Sequence, residues 1–169
     1  MEKLLYIPDP LLRQKADKIK KIGSEEIAIS NKMMQIMLNA PGVGLAANQI
    51  GILKQIVTIL FIDQETKKEN KYSLFNPKIV SYSKDKIIME EGCLSLPKQF
   101  AEIERPKSIV VEYLDEDNKL INKEVTGVES RILQHEIDHL SGKLFIDYLS
   151  PLKRNIMIKK VQKFLKNKK

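Results

Sequence analysis

Gln134-His135-Glu136-Ile137-Asp138-His139-Leu140 is a His-Glu-x-x-His stretch set inside a helical pattern. On a helix, positions i and i+4 share one face, so His135 and His139 can grip one metal ion together. Glu136, beside the first of them, is then placed to take a proton from a metal-bound water. The chain has two histidines, and both are here. A structural zinc site is the competing reading, and it would call for four protein ligands in a closed shell. The third ligand therefore decides what the stretch does.

Upstream of the motif, Thr126 and Glu129 have capping-box spacing, which predicts a helix starting at Thr126. Gly142 is the expected stop. Ser108–Leu114 and Leu120–Val125 flank Asp115-Glu116-Asp117-Asn118-Lys119 as a hairpin. Residues 55–62 are β-branched and apolar, the composition of a buried strand. Gln64–Lys71 reads as a charged turn, and Tyr72–Asn76, Lys78–Ser81 and Lys86–Glu90 as short strands. Near the start, residues 1–22 read as an irregular arm with a helical turn near Leu11–Ala16. Ser24 is the expected cap of a helix with Ile29, Met33, Ile36, Met37 and Ala40 on its apolar face, stopped by Pro41-Gly42. The expected class is α+β: antiparallel sheets packed around the metal-binding helix, with a helix at the C-terminus.

The 169 residues suit one domain with a real core. There is no apolar run near 20 residues, and the start, Met1-Glu2-Lys3-Leu4, lacks a signal-peptide core. These features predict a cytoplasmic protein with no membrane contact. Cys93 is the one cysteine, so no intrachain disulfide forms. The net charge of +7 is uneven: residues 150–169 hold eight basic residues and no acid, leaving residues 1–149 at −1. Pro151 can open a helix there, with Met157, Ile158, Val161, Phe164 and Leu165 as its apolar stripe. Residues 1–149 are expected to form the body that carries the metal motif, and 150–169 a basic amphipathic helix of the same domain.

One acid and one thiol compete to complete the metal site. No Glu follows Glu136, and Phe145 stands where a His-x-x-Gly-x-x-His plan needs its third histidine. Asp147 is the remaining downstream acid. Upstream, Glu91-Gly92-Cys93-Leu94-Ser95 offers the thiol beside a flexible glycine. A His2Cys set with water in the fourth position is a catalytic arrangement. Gly42-Val43-Gly44-Leu45-Ala46-Ala47-Asn48-Gln49 leaves its backbone uncovered, so something can approach it closely. It gains a role if Gln49 faces the metal.

The ordered trio of Gly42–Gln49, Glu91–Ser95 and Gln134–His139 resembles the peptide deformylase family. The resemblance extends from Asp9-Pro10-Leu11 to Leu144–Leu149. It implies a metal-dependent hydrolase that removes the formyl group from the N-terminal formyl-methionine of nascent polypeptides. Cys93, His135 and His139 would be the ligands, with Glu136 as general acid and base. Gln49 and the Leu94 N–H would donate to the oxyanion. The family's metal is usually iron(II), with zinc, nickel or cobalt also able to fill the site. For the substrate, Val43, Gly44, Met89, Glu91, Gly92, Val128 and Ile132 are the candidate contacts. Phe100 stands where many relatives carry Tyr or Arg, which bears on substrate-backbone contacts. Similar C-terminal helices dock near the ribosomal exit tunnel, so the ribosome is a candidate partner of the basic helix. The protein is expected to be a monomer. A metalloprotease cutting internal bonds and a non-catalytic, metal-stabilised RNA-binding module are the rival classes.

Overall fold

A computed structural model describes residues 3–167; Met1, Glu2, Lys168 and Lys169 lie outside the described residues. The first helix, α1 (Ser24–Asn39), leads into β1 (Gly44–Ala46), β2 (Ile56–Ile62) and β3 (Glu69–Tyr82). A two-stranded ribbon follows, β4 (Lys86–Cys93) and β5 (Leu96–Pro106). Then come β6 (Ser108–Leu114), β7 (Leu120–Thr126), α2 (Gly127–Leu140) and α3 (Pro151–Lys166). The larger sheet runs β1-β2-β3-β6-β7, antiparallel throughout, and β4-β5 form the second. This is the expected α+β class, and α2 is the helix at its centre.

The apolar run of β2 is explained by burial on both faces. Val57, Ile59 and Phe61 pack with Ile132, Leu133 and Leu140 of α2. Ile56 and Leu60 point the other way, into a cluster with Met33 and Met37 of α1. Successive residues of a strand face opposite sides, so a strand between two helices needs apolar residues at every position. The sheet thus holds α2 in place along one face. A third cluster joins Leu96 and Ile103 of β5 to Phe145, Ile146 and the fully buried Val161 of α3, with Cys93, Met157, Ile158 and Leu165 at its margin. The apolar stripe of α3 packs on the body.

Several local expectations need correction. The N-cap of α1 is Gly23, whose N–H is taken by Glu26 Oε2 at 3.0 Å; Ser24 is the first helical residue. The buried face of α1 is centred on Glu26, Ser30, Met33 and Met37, with Ile29 and Ile36 half-buried beside it. Thr126 is the N-cap of α2 but makes no side-chain cap bond. Its hydroxyl accepts from Ser108 Oγ, and Glu129 instead accepts from Tyr72 Oη at 2.6 Å and Lys123 Nζ at 2.5 Å. Tertiary partners on β3, β6 and β7 outbid the local box.

The strands expected at Tyr72–Asn76 and Lys78–Ser81 are one strand, which also takes in Glu69–Lys71. Its register slips between Phe75 and Lys78, where Asn76 has φ of 51° and Pro77 follows. A proline removes a ladder donor, and here the chain bulges instead of ending the strand. Strand β5 has no counterpart in the sequence reading. Its inward residues are Ala101, Ile103 and Arg105, and a buried arginine breaks the apolar alternation that marks a strand. Gly142 does end α2, with φ of 73°; a Cβ there would overlap the Arg13 carbonyl oxygen of the N-terminal arm.

Candidate active site

The site forms where α2, the end of β4 and the segment after α1 converge. His135 and His139 lie one turn apart on α2, with ring centroids 5.0 Å apart. Cys93, at the end of β4, brings its Sγ to 3.4 Å from His139 Nε2. Among the described residues, Cys93, His135 and His139 are the group whose donor atoms lie close enough to share an ion, all within 4.8 Å of one another. His135 Nδ1 is engaged by Glu91 Oε2 at 2.8 Å, which leaves Nε2 as its ligand atom. A carboxylate on the far nitrogen of a ligating histidine sets its ring and tautomer. His139 is fully buried, and its Nδ1 has no hydrogen-bond partner. One sulfur and two imidazole nitrogens suit zinc, iron, cobalt or nickel, and three protein donors leave a position open for chemistry. The residues fit a divalent metal. Asp147, the alternative third ligand, is occupied elsewhere: Arg13 donates to it at 2.5 and 3.1 Å, and Leu144 N–H at 2.9 Å.

Glu136 sits beside this trio and is 5% exposed, with its Oε2 free of any partner. Burial pushes its carboxyl up to about 7, a value suited to moving a proton near neutral pH. A cation held by the three donors would draw it down. The packing around Glu136 requires a bare backbone opposite: a Cβ on Gly44 would overlap Glu136 Oε1. Gln49 lies in the short 310 turn Ala47–Ile50 and is 1% exposed. Its Oε1 accepts from Ala46 N–H at 2.9 Å, which fixes which end of the amide faces the site. Nε2 therefore donates, to Cys93 Sγ at 3.4 Å and Ser95 Oγ at 3.1 Å.

A cleft of about 470 Å³ opens over these groups. Val43, Gly44, Gln49, Gly92, Cys93, Leu94, His135 and Glu136 all line it. Leu94 lies at the turn from β4 to β5, with its side chain over Gly42, where a Cβ would come within 2.7 Å of Leu94 Cδ1. Leu4, Tyr6 and Pro97, to which no sequence motif pointed, also line it, together with Phe100, which is 59% exposed. Phe100 lies opposite Gly92 in the ribbon, its ring over the space a side chain would fill.

Glu91 is not a cleft residue. It alternates inward from β4, is 5% exposed, and bonds His135, Arg105 and Arg131. Burial alone would push its carboxyl up, but the bonds from His135 and Arg105 outweigh it and hold Glu91 well below the usual carboxylate range. Met89, Val128 and Ile132 also fall outside the cleft lining. Ile132 is buried in the cluster between α2 and the sheet, Val128 is 39% exposed on the first turn of α2, and Met89 is half-buried on β4. Arg105 and Arg131 carry no motif spacing that marks them in the sequence, and Ser95 is marked only as the end of Glu91–Ser95. The inward arginine among polar residues of β5 was the available signal for Arg105.

A His-Glu-x-x-His helix in the groove of an antiparallel α+β fold, with a thiol as third donor, defines a class of hydrolase with a metal-competent site. The family model for polypeptide deformylase matches residues 1–155, and the chain belongs to that family. Peptide deformylase of Rhizobium meliloti is 42% identical over 98% of this chain and 94% of the relative. That of Pelagibacter ubique is 44% identical over 99% and 97%. The crystal structure of peptide deformylase from Ehrlichia chaffeensis superposes with a TM-score of 0.94 at 35% identity, covering 98% of this chain and 97% of the other. The same enzyme in complex with actinonin gives 0.90 at 36% identity, covering 95% of each chain.

Proposed function

We propose that this enzyme removes the formyl group from the N-terminal formyl-methionine of newly made polypeptides, using a divalent metal held by Cys93, His135 and His139. The observation that carries this is the buried Glu136 carboxylate, unpartnered on Oε2 and facing the bare backbone of Gly44 beside three converging donors. The metal, when bound, supplies a Lewis acid that lowers the pKa of water toward neutrality. Glu136 takes the proton from the attacking water and delivers it to the amine as the formyl C–N bond breaks, leaving formate and a free methionine N-terminus. Gln49 Nε2, aimed by the Ala46 N–H, donates to the oxygen that becomes negative, together with the Leu94 N–H. Each such donor is worth about 3 kcal/mol.

Gly44, Gln49, His135 and Glu136 are buried where they line the cleft, and a tight fit there would favour a formyl hydrogen over an acetyl methyl. For the methionine side chain, Val43 offers a wall of the cleft. Val128 and Ile132, at helical spacing from His135, and Met89 of β4 do not line the cleft, and they would meet the methionine side chain only if it reached past His135 toward the start of α2. Iron(II) is the proposed metal in the cell, with zinc, nickel or cobalt as substitutes. No helix among the described residues is long and apolar enough to cross a membrane. We place the enzyme in the cytoplasm as a monomer, acting at the ribosome, where α3 supplies a basic face.

Anaerobically purified protein reconstituted with iron(II) or cobalt(II) should release formate from a formyl-Met peptide and leave the unmodified peptide intact. Internal cleavage with no formate would favour the protease class instead. Cys93→Ala should lose stoichiometric metal binding together with turnover; a metal-replete, active Cys93→Ala enzyme would remove the thiol from the ligand set.

A further inference from the structure

The Glu91 carboxylate accepts four hydrogen bonds. On Oε1 they come from Arg105 Nε at 2.6 Å and Arg131 Nη1 at 2.8 Å. On Oε2 they come from Arg105 Nη2 at 3.0 Å and His135 Nδ1 at 2.8 Å. Arg105 already pairs with Glu91 through two of its nitrogens, so a second guanidinium is not needed to neutralise it. Arg131 does something Arg105 does not. Its Nη2 donates to the Ile87 carbonyl of β4 at 2.6 Å, and its Nη1 also reaches the Ile103 carbonyl of β5 at 2.8 Å. One side chain on α2 thus grips both strands of the ribbon and the carboxylate behind His135.

Arg131 is a poor stabiliser by the usual measure. It is 6% exposed, and its Nε has no partner. A buried guanidinium with an unmet donor is often no better than an apolar side chain of similar volume. It is, however, a rigid planar strut with five donors in fixed directions. It stands at i−4 from His135, on the same helical face. The strand it holds, β4, ends at Cys93. Two of the metal donors are on α2 and the third is on β4, so their spacing depends on what ties helix to ribbon.

We infer that Arg131 is a positioning residue of the metal centre: it locks Glu91 and the β4–β5 ribbon against α2 and thereby sets the distance between the Cys93 thiol and the His135 imidazole. It touches neither substrate nor reacting atoms. The inference rests on the reading of Cys93, His135 and His139 as metal ligands. Loosening the outer support of a ligand typically weakens metal binding about 10–100-fold.

The test compares wild type with Arg131→Met, Arg131→Lys and Val125→Ala, the last a core truncation between α2 and the sheet that destabilises without touching the ribbon. Zinc affinity is measured by chelator competition, and the cobalt(II) absorption spectrum reports thiolate ligation. Both are read where each variant is folded by circular dichroism. Arg131→Met should bind zinc about 10–100-fold more weakly and shift the cobalt–thiolate bands. Arg131→Lys should fall between, because an ammonium cannot reach Glu91, Ile87 and Ile103 at once. Val125→Ala should keep both metal readouts at wild-type values. Zinc affinity within twofold of wild type and an unchanged spectrum in Arg131→Met would overturn the inference. If Arg131→Met does not fold, the same result in Arg131→Lys overturns it. Formate release by wild type, run alongside, separates the two readings: its absence would sink the deformylase proposal while the metal affinities still judge Arg131.

Discussion

The surroundings of Glu136 suit the proposed acid and base. Burial raises the carboxyl to about 7, and the backbone of Gly44 presses against it with no side chain between. Two outcomes follow at this scale. Glu136→Gln should keep metal and fold, while kcat drops by about 10²–10⁴-fold or more; a metal-loaded Glu136→Gln enzyme with near-normal formate release would end its role as acid and base. Gly44→Ala places a methyl where Glu136 Oε1 lies. Overpacking of this kind costs about 1–3 kcal/mol, and here the group that must move is the proposed base. The expected result is a loss in kcat larger than any fall in zinc affinity, measured on the same preparation. Of these two residues, the identity of Glu136 as a candidate base was legible from the His-Glu-x-x-His spacing. The need for glycine at 44 was legible only as an uncovered backbone, because nothing in the spacing says which side chain leans on it.

The elements that carry the donors are braced by other elements distant in sequence. The N-terminal arm meets the end of α2 through Arg13, which bonds the Gly142 carbonyl and Asp147. Arg154 of α3 stands 3.6 Å from the same carboxylate. Burial would raise the Asp147 carboxyl, but Arg13, the Leu144 N–H and the charge of Arg154 lower it overall. A carboxylate lowered in the folded state stabilises above its unfolded pKa, and that stability is lost as pH falls through the folded value. Asp147→Asn should therefore cost about 1–2 kcal/mol near pH 7, the worth of a charged hydrogen bond reduced by the solvent around the partly exposed Arg13. The difference from wild type should shrink below about pH 4, where the unfolded carboxyl protonates. Urea denaturation of both proteins at pH 7 and pH 3 checks this, and an equal difference at the two pH values would exclude the ion pair as its source.

For the molecule as a whole, α3 has two faces of opposite character. Val161 is fully buried, and Met157, Ile158 and Leu165 pack beside it in the cluster that also touches Cys93. Lys153, Lys159, Lys160, Lys163 and Lys166 are exposed. Truncation after Leu149 would uncover Leu96, Ile103 and Phe145, so it should lower stability and metal retention together. Neutralising the lysines is the cleaner probe of ribosome docking. Replacing Lys159, Lys160, Lys163 and Lys166 with Gln should leave hydrolysis of a short formyl-Met peptide unchanged. It should weaken co-sedimentation with ribosomes and flatten its salt dependence, since each lost phosphate contact releases one counterion fewer. Equal co-sedimentation of both proteins across a salt series would refute docking through this face.

The sequence by itself determined the candidate metal pair, the candidate base, the α+β class and the apolar stripe of α3. The class follows from the order of the elements, and the others from spacing within one element, where 3.6-residue and 2-residue periods fix which side chains share a face. Only the tertiary structure decided the rest. It brought the thiol of Cys93, the third ligand that the family resemblance implies, beside the histidines, because Cys93 ends a strand packed beside α2, while Asp147 is taken by Arg13. It turned Glu91 from the cleft to the back of His135, and it joined that carboxylate to Arg105 and Arg131, 14 and 40 residues away. It left Thr126 and Glu129 with partners on other strands instead of with each other. A buried charge is placed by whatever can neutralise and hydrogen-bond it in three dimensions, and no periodicity of the chain records where that partner will be.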